Sequence, residues 1–262
     1  MQSYFAGKRI LITGAASGIG RDLAIVLKGW DAKLALVDIR PVPADVSSGG
    51  KEVLTFEADV TNPQPFLDIR EKLLGKWGGI DIIIAAAGVG GINPATCFSV
   101  PLDHRIMSIN YFGTINTMTP FIESMTKSRS GQLVGISSLA AFRGLPQAAS
   151  YSASKAAQMT LLESMRLDLK KTGISVTCIH PGFVATPMAD HDEFQMPFKV
   201  SPRKSSMLIL KAIAKKKSQY SYPWQMAWLS KLNRLFPNCV YDFLMPRLSP
   251  SKATAPKLFS AP

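Results

Sequence analysis

From Lys8 onward, short apolar runs alternate with longer stretches of helical period. Six runs predict strands: Arg9–Ile12, Lys33–Val37, Val53–Glu57, Asp81–Ala85, Gln132–Ile136 and Ser175–Ile179. Each is mostly apolar on both faces, as expected of strands buried between two helix layers. Gly20–Trp30, Pro65–Trp77, Pro101–Lys127 and Tyr151–Thr172 are long enough for crossover helices. The β-α-β order predicts one domain built on a doubly wound parallel sheet, α/β in class, with helices on both faces. Pro41–Lys51 reads as a loop. Beyond residue 200 the pattern changes. A helix is expected over Pro202–Lys217, a turn over Tyr220–Pro223, and an amphipathic helix over Trp224–Phe236. At 100° per residue, Trp224, Trp228, Leu229, Leu232, Leu235 and Phe236 share an arc of about 140°, and Ser230, Lys231, Asn233 and Arg234 take the other side.

Charge sharpens this division. The 262 residues carry a formal net charge of +12, and 47% are hydrophobic, which excludes disorder as the dominant state. Residues 1–198 hold 18 basic and 17 acidic side chains; residues 199–262 hold 12 basic ones and a single acid, Asp242. A near-neutral body (1–200) thus carries a basic extension (201–262). A nucleic-acid-wrapping surface is not expected, because most of the chain has no net field to offer. Cys97, Cys178 and Cys239 are odd in number and far apart, so neither a disulfide framework nor a zinc site is predicted. His104, His180 and His191 show no ligand spacing, and no metal is expected. Without a signal peptide or an apolar run of about 18 residues, the expected location is cytoplasmic, at most peripheral on the inner face of a membrane.

The first strand runs into Thr13-Gly14-Ala15-Ala16-Ser17-Gly18-Ile19-Gly20 and then a helix. Glycines there let the backbone approach a pyrophosphate closely, and the helix N-terminus favours the anion. The second strand leads to Asp38, placed to accept hydrogen bonds from the adenosine ribose and to repel a 2′-phosphate. Together they predict a Rossmann-type dinucleotide site preferring NAD to NADP, with Arg40 the one nearby cation against that preference. Tyr151 and Lys155, at i and i+4, share one helix face. An ammonium and a cationic nicotinamide beside the phenol are expected to ease its ionisation and make it a proton donor or acceptor. Ser138, at the end of a sheet strand, sits where open α/β folds bind ligands and can hold a carbonyl oxygen. Pro181–Thr186 forms a turn able to cover the nicotinamide. No GxSxG elbow supports a hydrolase.

With these motifs in order, the chain resembles the short-chain dehydrogenase/reductase family over roughly residues 6–190. The TGxxxGIG loop, Asp38, Asp59-Val60, Asn110, Ser138, the Tyr151-xxx-Lys155 pair and the PGxVxT turn carry the likeness. The resemblance implies an oxidoreductase interconverting a secondary alcohol and a ketone. Tyr151 would be the acid/base, Lys155 its pKa-lowering partner, Ser138 the carbonyl polariser and Asn110 the holder of a water. Gly14, Ser17, Gly18, Ile19, Gly20, Asp38, Ile39, Asp59, Val60, Ala87, Gly88, Pro181, Gly182, Val184 and Thr186, with Tyr151 and Lys155, would contact the cofactor. Where the family usually has Asn-Asn-Ala-Gly, this chain has Ala85-Ala86-Ala87-Gly88. Phe142, Leu145, Phe183 and Met188 are expected to wall an apolar substrate site, under a lid that includes Phe194, Met196, Pro197 and Phe198. Homodimers or homotetramers are expected from the resemblance. The tail is expected to serve a subunit interface or substrate pocket, or an anionic membrane surface through 203–247. A catalytically idle cofactor-binding scaffold docked to membrane is the alternative reading.

Overall fold

The computed structural model describes residues 1–49, 52–186, 188, 198–248 and 255–259. A short helix α1 (Gln2–Phe5) precedes β1 (Arg9–Thr13), α2 (Gly18–Lys28), β2 (Lys33–Asp38), α3 (Ala44–Ser47), β3 (Val53–Glu57), α4 (Gln64–Trp77) and β4 (Ile82–Ala85). There follow β5 (Gly90–Ile92), α5 (Val100–Met107), a π-helical turn (Ser108–Phe112), α6 (Gly113–Ser128), β6 (Gly131–Ile136), α7 (Ala149–Asp168) and β7 (Ile174–Pro181). The chain continues through α8 (Pro202–Ala214), β8 (Gln219–Tyr222), α9 (Trp224–Asn233), α10 (Asn238–Leu248) and β9 (Lys257–Phe259).

Seven strands form one parallel sheet in the order β3-β2-β1-β4-β6-β7-β8. Alternation along the strands sorts the core into two layers. Ile10, Ile12, Leu34, Leu36, Ile82 and Ile84 meet α2 and α8 on one face. Leu11, Ala35, Val37, Ile83 and Leu133 meet α4, α6 and α7 on the other. Thr13 lies level with Val37 on one side and with Ala85 on the other. The strand order reverses between β1 and β4, which opens a crevice at their C-terminal ends.

Three expectations need correction. Tyr220–Pro223 is not simply a turn: Gln219–Tyr222 forms a parallel edge strand on β7. Its four half-polar residues beside Pro223 gave no strand signal next to the apolar runs of the central strands. The predicted Pro101–Lys127 helix is two helices joined by the π-helical turn. And Pro41–Lys51 is not loop throughout, since Ala44–Ser47 forms α3. The basic region, expected on the same domain or at an interface, packs on the domain through Ile209, Leu210 and Ile213 of α8, which are fully buried. Helix α10 and the β5–β9 pair, both unanticipated, complete the chain. At Gly91 of β5 the packing is close, and a Cβ there would lie 2.7 Å from Ile106 Cδ1 and 3.1 Å from the Lys257 carbonyl. No described helix is long and apolar enough to cross a membrane.

Candidate active site

The crevice begins at the loop between β1 and α2. Gly14 adopts φ +70°, and a Cβ on it would stand 2.8 Å from Ala87 Cα. One on Gly20 would stand 2.2 Å from the Gly14 carbonyl oxygen. Only hydrogen fits at either place, so strand, loop and helix close up on each other. Ser17 precedes α2 in extended conformation without capping it. Its hydroxyl accepts instead from Arg40 Nη2 (3.0 Å), leaving the first-turn amides of α2 without a side-chain cap among the described residues, beside the cavity that Gly18, Ile19 and Gly20 line. An uncapped helix start bordered by glycines is an anion cradle. Asp38 is buried at its edge; Oδ2 accepts from Ala16 N–H (2.9 Å) and Oδ1 from Arg40 N–H (3.1 Å). The Arg40 guanidinium lies 3.6 Å from the same carboxylate. Asp38 therefore braces the loop as well as bordering the cavity. The turn at Ala85–Gly88 is held from β1. Thr13 Oγ1 accepts from the amides of both Ala86 and Ala87 (3.2 Å each), holding this turn from the backbone.

Ser138 follows β6, and Tyr151 and Lys155 occupy the N-terminal half of α7. The Ser138 hydroxyl accepts from Ala140 N–H (3.1 Å) and borders the cavity together with the Tyr151 phenol. The expected easing of the phenol's ionisation is not found in the chain alone. Burial pushes the Tyr151 pKa up, against the lowering effect of the Ser138 hydroxyl. Burial also pushes Lys155 down, to about 8. Its Nζ donates to the Ile136 carbonyl (2.9 Å) and to Gln158 Oε1 (3.4 Å), 5.9 Å from the Tyr151 ring centre. Gln158 in turn donates to Thr114 Oγ1 (2.7 Å), and Thr114 to the Asn110 carbonyl (2.8 Å). Gln158 and Thr114 were not singled out from sequence; Gln158 lies three residues from Lys155 on the same helix, a signal that would have found it.

Asn110 sits in the π-helical turn, fully buried. Its Oδ1 accepts from Val89 N–H (2.8 Å), and its Nδ2 donates to the Val89 carbonyl (3.0 Å) and Ser154 Oγ (2.9 Å). It fixes the turn that brings Gly88 against Lys155. His180 is buried beneath Ser138. Its Nδ1 lies 3.3 Å from the Ser138 carbonyl, which can only accept, so Nδ1 carries the proton. Nε2 has no hydrogen-bond partner among the described residues. Burial drives the imidazole pKa down to about 4.

A cavity of about 1010 Å³ joins both regions. Every residue expected to touch the cofactor lines it, as do Ser138, Leu145, Phe183 and Met188. Asn110 stands behind the wall. Phe142 does not line the cavity, contrary to expectation: its ring lies 4.9 Å from that of His180, packed against the core. Phe194, Met196 and Pro197 lie outside the described residues. The residues of the far wall were not singled out from sequence, although a pocket role was one of those expected of the tail. The wall comprises Arg105, Ser108 and Ile109 together with Met226, Leu229, Ser230, Asn233, Met245, Leu258 and Phe259 from the tail. Arg105, Ser108 and Ile109 shortly precede Asn110, whereas the tail residues lie 40 to 73 positions beyond Thr186, where no local spacing ties them to the site.

The sequence pattern described as short chain dehydrogenase matches residues 8–196. The chain belongs to the short-chain dehydrogenase/reductase family. It is an oxidoreductase, and NAD(P) is the cofactor that family uses. This dehydrogenase is 36% identical over 243 residues to an uncharacterized oxidoreductase of Myxococcus xanthus, covering 91% of this chain and 96% of that one. It is 33% identical over 186 residues to 1-deoxy-11-beta-hydroxypentalenate dehydrogenase of Streptomyces avermitilis, covering 68% and 69%. Among solved structures, a short-chain dehydrogenase from Streptomyces avermitilis superposes with a TM-score of 0.78 at 21% identity, covering 92% and 96% of the two chains. ElxO with NADP bound gives 0.75 at 21%, covering 82% and 96%. Both show the fold.

Proposed function

We propose that the chain is an NAD(H)-dependent oxidoreductase that interconverts a lipophilic secondary alcohol and its ketone. The observation that carries this reading is the Ser138–Tyr151 hydroxyl pair bordering the cavity, with Lys155 beside it on α7. The cradle at Gly14–Gly20, with Asp38 at its edge, fits a dinucleotide. A nicotinamide held there would supply or take up hydride. The chain's own part is the proton. In the reductive direction Tyr151 Oη–H donates to the carbonyl oxygen, while the Ser138 hydroxyl donates to the same oxygen as charge develops on it. Lys155, cationic below about pH 8, opposes the cost of the phenolate left behind. Gln158 and the Ile136 carbonyl hold its ammonium in place.

Asp38 supports NAD over NADP, because a 2′-phosphate beside a buried carboxylate is repelled. Arg40 offsets part of that repulsion, so titration with both cofactors is the direct test; tighter NADP binding overturns the preference. Met188, Met226, Met245, Leu258 and Phe259 make the far wall apolar and adaptable, which supports a lipophilic substrate. The family resemblance favours association into a dimer or tetramer.

Tyr151→Phe is expected to lower NAD-dependent oxidation of the best alcohol from a lipophilic panel by at least ~100-fold, read by absorbance. NADH binding, read by fluorescence, stays within a factor of about two because the phenol's proton is not part of the cradle. Retained turnover would remove Tyr151 from the chemistry.

A further inference from the structure

We propose that the outer faces of α9 and α10 dock on an anionic phospholipid bilayer. This inference does not depend on the catalytic reading.

The two helices are held to the body by their inner sides. Ala227 of α9 is buried, and Arg143 donates to the Asn233 and Phe236 carbonyls. The same guanidinium stacks on Tyr241 of α10, 3.7 Å from the ring centre, and the Tyr241 hydroxyl donates to the Gly144 carbonyl. This anchoring turns the Trp/Leu face of α9 outward. Trp224 is 68% exposed, Trp228 71%, Leu235 79%, and Phe243 of α10 59%. Leu232, Val240 and Leu244 are exposed beside them. Apolar surface of this extent, fixed by hydrogen bonds and left in water, marks a surface that something covers.

Charge selects the occupant. Lys231, Arg234 and Arg247 are exposed on or beside these helices, which carry one acid, Asp242. A second copy would set this cationic face against its own like. The remaining body, 18 basic against 17 acidic residues, carries no acidic excess to meet it. An anionic bilayer answers both features, with tryptophans at the headgroup level and cations among the phosphates. Arg247 already lies over the Phe243 ring, 3.6 Å from its centre, its stem along apolar surface.

The test uses the full chain with vesicles of phosphatidylcholine alone or with about 30% phosphatidylserine. Co-sedimentation with the anionic vesicles is expected, weakened by salt, with a blue shift in tryptophan emission. Trp30, packed on Phe5, and the buried Trp77 do not move. Trp224→Ser/Trp228→Ser/Phe243→Ser is expected to cut the partition coefficient at least ~10-fold with an unchanged thermal melt, since all three side chains are exposed. Lys231→Glu/Arg234→Glu should abolish the preference for phosphatidylserine. If the wild-type chain stays in the supernatant, or the serine variant sediments equally, the proposal is overturned. If the serine variant instead dissolves a dimer seen by light scattering while vesicles go unbound, the face belongs to a second copy and the proposal is equally overturned.

Discussion

Gly14 shows how a single hydrogen atom sets the geometry of the cradle. A methyl group there meets Ala87 Cα at 2.8 Å and demands φ +70° of a residue with a side chain. Gly14→Ala is therefore expected to lower the unfolding free energy by about 2–4 kcal/mol, strain and overlap together. Gly49→Ala, at φ +72° with nothing within 4 Å, should lose only the ~1 kcal/mol of left-handed strain; urea midpoints of the pair separate clash from strain. His180 gives a pH signature. Its imidazole titrates at about 4 in the folded chain against 6.5 when free. Between those values the unfolded chain binds the extra proton, so stability falls as pH falls, by about 2 kcal/mol between pH 6.5 and 5. In His180→Asn that part of the pH slope should vanish, and an unchanged slope would assign it elsewhere. At this scale the motifs were legible where spacing coincides with position at a strand end, as with Tyr151 and Lys155 after Ser138. Burial was not. The raised phenol and the inward turn of Phe142 depend on packing that no spacing encodes.

Among elements, the long β-strands declared themselves through apolar runs, whereas the pieces that finish the cavity did not. The π-helical turn at Ser108–Phe112 interrupts an otherwise continuous helical pattern and sets Asn110 where both edges of its amide meet Val89. Such a turn leaves no periodicity to read over five residues. Strand β9 is three residues long, and its partner β5 is Gly-Gly-Ile, a composition that reads as loop. Yet Leu258 and Phe259 line the cavity far from the cradle. A chain ending at residue 254 is expected to raise KM for the lipophilic alcohol at least ~10-fold, from lost apolar burial, while its Kd for NADH stays within about twofold. Calorimetric NADH titration checks the second half, and weakened NADH binding would show that β9 supports the whole fold rather than the substrate wall.

For the whole molecule, the division by charge does not coincide with the division by structure. Most of the basic side chains after residue 198 decorate elements that the fold cannot spare. Helix α8 closes one face of the sheet beside α2, and Tyr222 of β8 is buried with its hydroxyl 2.7 Å from Ser205 Oγ. A 1–200 fragment uncovers Leu34, Leu36 and Ile179 with their neighbours. It is expected to lose the cooperative melt of the full chain, measured by far-UV circular dichroism; a sharp transition would make residues 201–262 a true appendage. The doubly wound architecture was readable because a parallel sheet needs long crossovers and apolar strands. The place of the last 60 residues was not, since an edge strand and an outward-facing helix carry weak or misleading periodicity.

The far wall of the cavity lies largely beyond the family's reach. The matched pattern stops at residue 196, while Met226, Leu229, Met245, Leu258 and Phe259 follow it. The cradle and the wall are thus written in separate stretches of one chain and meet only in space. Mutations in the second stretch can change what is recognised and leave the first untouched. Two relatives alike over the matched region can therefore diverge freely in substrate, and kinship with a named dehydrogenase there says little about what this one turns over.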